Sequence, residues 1–419
     1  MDVDEALMVI VMGGAALSTL KPGWNGNKKS RKEWVRDWVM RRETEGCCVK
    51  LLKELREEVP SLYKNFVRMS SSDFDYLLDR VGPIIRKQST NMREPISPAD
   101  RLMLTLRYLA TGEAFRSLQY VFRIPHNTIS TIVPEVCDAI FDALKTDFMK
   151  FPSTEDEWRN VANEFERSWD FPHCIGALDG KHVVMNAPAN SGSIYYNYKG
   201  THSIVLMGVA DASYKFLYVD VGMNGRVSDG GVFRRTSFHE YIGSDAVAFP
   251  RSEPLPMREK PVPYVLIADD AFALGPNLMK PYPGKNLGIM ERIFNYRLSR
   301  GRRVVENAFG IMSARFRVFR NPIGVNPEKT RKITVACCAL HNFLLTRNPQ
   351  KYIGPTLADK HAGNGVIING DWRDTEIGNT WLELGSHRSY VSDQTKQIRD
   401  EFRDYFGKEG ELKFQYNFI

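Results

Sequence analysis

The stretch that decides the fold is "CIGALDGKHVVM", Cys174 to Met185. It reads as a strand buried on both faces, because its apolar residues run almost without a break. Yet Asp179 stands in the middle of it. An unpaired buried carboxylate is very costly, so something must neutralise it. Strand parity puts Asp179, Lys181 and Val183 on one face and His182 on the other. Asp179 and His182 are therefore not expected to chelate one metal together.

Working outward, "HSIVLMGVADAS" and "KFLYVDVGMNG" read as an antiparallel hairpin with its turn near Ser213. "SDGGVFRRTSFHEYI" looks helical, and a proline-rich loop over 249–263 leads to a fourth strand, "YVLIADDAF". Two helices follow, "RRVVENAFGIMSARFRVF" and "EKTRKITVACCALHNFLLT". The order β-β-β-α-β-α-α makes 165–347 an α/β domain. Residues 348–419 form a C-terminal extension, loose over about 354–389, closed by the charged helix "TKQIRDEFRDYF".

The fourth strand ends in Asp269 and Asp270, which diverge as neighbours, so one of the two is expected at the site. If the first and fourth strands pair, two carboxylates meet, and like charges that close need a cation between them. Hard divalent ions prefer such oxygen ligands. Glu306 is the third acid. Its helix buries Val305, Phe309, Met312 and Phe316, and Glu306 lies about 60° from Phe309, at the rim of that stripe. Arg302 and Arg303, one turn earlier, suit phosphates. Two strand aspartates and a helical glutamate are the donor set for two-metal phosphodiester chemistry, with Mg²⁺ or Mn²⁺ as cofactor.

The 31–150 region reads as all-helical. Ser97 caps, Pro98 sits at the first helical position and Gly112 ends a helix. A second helix spans about 115–122, and a third begins near Pro125. Pro134 is expected to break the third helix. Three helices with a tight second turn over about 97–134 make a helix-turn-helix, which would offer His126, Asn127, Ser130 and Thr131 to DNA.

Composition fits this picture. The 419 residues are 43% hydrophobic and 26% charged, which excludes wholesale disorder. Net charge is +7, so a nucleic-acid partner is allowed. Six cysteines show no metal-ligand spacing. The apolar run Ala6–Leu20, in an N-terminal extension of residues 1–30, is shorter than the ~20 residues a membrane helix needs. No membrane role is expected. Lys28, Lys29, Arg31 and Lys32 could serve as a nuclear address.

Together, "CIGALDGKHVVMNAP", "YYNYKGTHSIVLMGVAD", "GRVSDGGVF", "LIADDAFAL", "RRVVENAFGIMSARFRVF" and "CCALHNFL" resemble successive blocks of the PIF/Harbinger transposases and the nucleases derived from them. "LRYLATGEAFRSLQYVFRIPHNTIS" and "QIRDEFRDYFGKEGELKFQ" fit as well. The resemblance implies an RNase H-like mixed five-stranded sheet with flanking helices, preceded by the helix-turn-helix domain. It places a DDE triad on Asp179, Asp269 and Glu306. By the same resemblance Tyr196 and Lys199 would lie along DNA and Asp229 would support the triad; from their own positions Lys181, Arg302 and Arg303 are further DNA candidates, and Asp270 and His182 further supports. The resemblance further implies a nuclear protein, with the cytoplasm as a second compartment. The partners it implies are DNA, a Myb-like accessory protein and a second copy of the chain. A non-catalytic DNA-binding or chromatin protein that keeps the fold is the alternative function.

Overall fold

The computed structural model describes residues 36–89, 94–227, 229–244, 247–362, 365–374, 381–383 and 392–419. The N-terminal apolar run, the lysine–arginine cluster after it and Trp34 lie outside these residues. The chain divides into two compact units, Met1–Ala139 and Ile140–Ile419.

The first unit is helical. α1 (Leu51–Glu58), α2 (Pro60–Val67) and α3 (Ser71–Ile85) precede α4 (Pro98–Thr111), α5 (Phe115–Phe122) and α6 (His126–Phe148), the last of which runs across the division. The end signals act as their chemistry dictates. Ser97 Oγ accepts from Asp100 N at 3.1 Å, and Gly112 takes the left-handed conformation (φ 69°) that closes α4. Pro134 does not break α6, contrary to the sequence expectation; it sits inside one continuous helix. A proline removes a single ladder bond, and the buried Ile129, Ile132, Val133 and Val136 hold the helix together across it.

In the second unit β1 (Cys174–Met185), β2 (His202–Ala210) and β3 (Phe216–Asn224) form an antiparallel meander, of which the β2–β3 hairpin was read from the sequence. β4 (Val265–Ile267) pairs parallel with β1, and β5 (Leu278–Met279) parallel with β4. The strand order is β3-β2-β1-β4-β5, a five-stranded mixed sheet. Helices α7 (Glu155–Trp169), α8 (Ile289–Arg315) and α9 (Pro327–Arg347) pack on it. Every residue of β1 is buried, which is why its apolar run is continuous.

Two further expectations are corrected. α8 begins at Ile289, thirteen residues before the "RRVVEN" segment. Gly301, inside this helix, is a close-packing site. A Cβ there would fall 2.6 Å from Ile267 Cδ1, so glycine lets α8 press onto β4. The segment expected to be loose also holds structure. β6 (Trp381–Glu383) adds to β1 as a sixth strand, antiparallel, with Glu383 opposite Lys181. A short helix, Asp371–Asp374, packs on α8. The terminal helix, α10 (Asp393–Phe406), is present and capped by Ser392.

Candidate active site

The pairing register assembles the acids. Ala177 on β1 stands opposite Ile267 on β4. Two residues further along each strand come Asp179 and Asp269. In a parallel pair, level residues share a face on strands about 4.8 Å apart. β4 ends at Ile267, so Asp269 sits just past it, its Oδ1 accepting from Ala271 N at 3.0 Å. Asp270 turns outward, exposed, and its carbonyl accepts from Lys280 Nζ at 3.0 Å. The ambiguity between the two neighbours is thus resolved in geometry: Asp269 is the one beside Asp179.

Asp179 is 7% exposed, and its pKa rises from 3.8 to about 7. Burial is the main cause; the Asp269 and Glu306 charges add to it, while Arg302 and Lys181 oppose it. Asp179 therefore feels both of the other acids. The oxygen-only donor set and the near-neutral buried carboxyl fit a hard divalent cation, which would reverse the cost of ionising Asp179. The acids are not closed around an ion as they stand. Among the described residues, no three His, Cys, Asp or Glu side chains are close enough to hold one metal. Glu306 has basic partners of its own. Its Oε2 accepts from Arg373 Nη2 at 3.1 Å and its Oε1 lies 3.8 Å from Arg302 Nη2.

The basic residues differ in role. Lys181 is 4% exposed and acts on Asp179 through its charge rather than from an open surface. Arg303 is turned to Asp359, at 2.9 Å. Tyr196 is 48% exposed, with its ring edge-on to His202, and Lys199 Nζ lies 5.6 Å from the Tyr198 ring centre. His182, fully buried on the other face of β1, meets Ser203 Oγ at 2.8 Å through Nδ1; burial pulls its pKa down to about 4. It supports the sheet rather than the acids. Asp229 opens the short helix Asp229–Phe233; its side chain lies outside the described residues.

In the first unit the helix-turn-helix candidates split. Gln119 Oε1 accepts from both the backbone N and Nδ1 of His126, at 2.9 and 3.1 Å, so His126 locks the turn between α5 and α6. Ser130 Oγ donates to the carbonyl of Asn127 at 2.8 Å, and Asn127 and Thr131 are exposed.

Sequence reasoning missed Arg373, Trp372 and Asp359. They sit in a polar stretch without periodicity, and a lone tryptophan was the one local signal of a packed element there.

Residues 178–342 match the family model described as a DDE superfamily endonuclease. The chain is 26% identical over 317 residues to a protein of Arabidopsis thaliana named ALP1-like, covering 73% of this chain and 76% of that one. It is 26% identical over 278 residues to the candidate nuclease HARBI1 of Xenopus laevis, covering 65% and 74%. It is 24% identical over 306 residues to the Arabidopsis protein named Antagonist of Like Heterochromatin Protein 1, covering 70% and 76%. No solved structure matches. The sequence blocks that resemble Harbinger-derived nucleases thus find relatives named ALP1-like and HARBI1, and residues 178–342 carry the match to a DDE superfamily endonuclease domain.

Proposed function

From the premise of a DDE superfamily endonuclease domain at 178–342, we propose that this protein cleaves phosphodiester bonds of DNA in the nucleus, using Asp179, Asp269 and Glu306 to hold two divalent cations. The observation that carries this reading is the register that sets Asp269 level with a buried Asp179 whose carboxyl sits near neutrality. Bound there, Mg²⁺ or Mn²⁺ would activate the attacking water or 3′-hydroxyl and stabilise the leaving oxygen.

The chain's own residues do the rest. Asp179 must be ionised to serve as a ligand, so its working form gains population as pH rises through about 7. Burial keeps bulk water from its carboxylate and strengthens every charge it faces. Arg302 lies beside Glu306, where a guanidinium fork matches phosphate oxygens. Tyr196 and Lys199, on the β1–β2 loop, and Asn127 and Thr131, on α6, are the exposed groups suited to DNA. A Myb-like accessory protein and a second copy of the chain are the partners proposed with it. Strand transfer by a freed 3′-hydroxyl would use the same acids.

The second reading is a DNA-binding chromatin protein that no longer cuts. It is favoured by the arginines that engage Glu306 and by the heterochromatin function in one relative's name. A nicking assay with labelled DNA and Mn²⁺ separates the two. Cleavage by wild type, its loss in Asp179→Ala, Asp269→Ala and Glu306→Ala, and its retention in Asp270→Ala are expected. Salt-sensitive DNA binding without cleavage by wild type would establish the second reading.

A further inference from the structure

We propose that Arg373 is a built-in counter-ion for the third acid and competes with divalent cations for Glu306; the proposal rests on the metal-dependent reading above. The pair is not a casual surface contact. Arg373 is held without help from Glu306. Asp359 accepts from its Nη2 at 2.8 Å and from its Nε at 3.1 and 3.3 Å. The guanidinium also lies 4.3 Å from the centre of the Trp372 ring. Trp372 is 5% exposed, and its Nε1 donates to Asn307 Oδ1 at 2.8 Å. Its indole lies against Gly310 of α8, where a Cβ would fall 2.1 Å from a ring carbon. The same Asn307 Oδ1 accepts from Asp359 N at 3.0 Å.

Asn307, the residue after Glu306, thus pins both the acid that grips Arg373 and the tryptophan beneath it. The side-chain entropy that weakens an exposed ion pair is already lost in these anchors. Arg373 is left with one fixed task, to present a positive charge to Glu306 Oε2. That charge relieves repulsion among Asp179, Asp269 and Glu306 when no other cation is near. A divalent ion must draw Glu306 off Arg373, so Arg373 sets the metal concentration at which the three acids assemble.

The test is Mn²⁺ binding to the full chain without DNA, read from the electron paramagnetic resonance of free Mn²⁺. Arg373→Met should bind about tenfold more tightly than wild type, the scale expected for removing one nearby charge. Arg373→Lys keeps the charge without the fork and should fall between them, so it carries the test if the methionine variant does not fold. Asp179→Ala should abolish the tight binding in every background. Asp179-dependent binding that is unchanged or weaker in both Arg373 variants would overturn the competition and make Arg373 a support for Glu306. Absence of Asp179-dependent binding in wild type and variants alike would instead remove the metal reading, and this proposal with it.

Discussion

The two halves of α8 meet two clusters of arginines with opposite fates. In the first half, Arg297 is 2% exposed and donates to the carbonyls of Asp170 and Gly410 and to Gln415 Oε1. Its guanidinium also covers Phe406 at 4.4 Å. Arg300 pairs with Asp170 at 2.6 Å. Each charge finds a fixed partner from the chain, and the result is a clamp on the C-terminal segment. Around the second half, Arg302 and Arg373 share Glu306, and Arg302 and Lys181 also act on Asp179. Arg297, Arg300 and Arg302 sit on α8, whereas Arg373 reaches Glu306 from the short helix Asp371–Asp374. The difference is in what each charge meets: Arg297 lies among neutral carbonyls, whereas Arg302 and Arg373 face an acid whose neighbour Asp179 is pushed near neutrality. A buried carboxyl shifted that far beside other acids is the better marker of a site.

The sharpest way to break this contrast is to neutralise Glu306. Glu306→Gln should lower Mn²⁺-dependent nicking by at least about 10³-fold, while the thermal midpoint stays within a few degrees of wild type. A midpoint collapse would place Glu306 in the structural class instead. Arg297→Met should do the reverse in stability, costing about 3 kcal/mol in denaturant unfolding because it strips partners from buried carbonyls. Unchanged stability would dissolve the distinction between the two halves.

The third prediction follows from the sign of the Asp179 shift. Its carboxyl is raised in the folded chain from 3.8 to about 7, so ionising it works against folding. Without metal, the protein should lose stability as pH rises from about 4 through about 7. Asp179→Asn should remove that loss, stabilising the metal-free chain by about 2 kcal/mol at pH 8 and by almost nothing at pH 4. Equal effects at both pH values would show that the carboxyl is not held near neutrality. The smallest effect belongs to Asp270→Ala, which should leave cleavage within about twofold and stability within about 0.5 kcal/mol. Loss of cleavage there would move the site to the outer aspartate.

Much of this was legible in the chain itself. The continuous apolar run of β1, the hairpin behind it and the cap at Ser97 are local signals, and local chemistry honours them. Asp179 announced itself by standing where burial forbids an unpaired charge. Three matters were decided only by tertiary contact. Gly301 proved to be a packing site because Ile267 of β4 comes up against it, and Pro134 a tolerated interruption because the helix residues around it are buried by the fold. The resemblance had placed Asp269 in the triad, but that Asp269 rather than Asp270 lies level with Asp179 came from strand register, which no single segment encodes. Arg373 reaches Glu306 from 67 positions away, through a tryptophan seated on a glycine of α8. Hydrophobic period and capping act over a few residues and can be read along the chain. Charge balance acts through space, and its partners are fixed only when the fold brings them together.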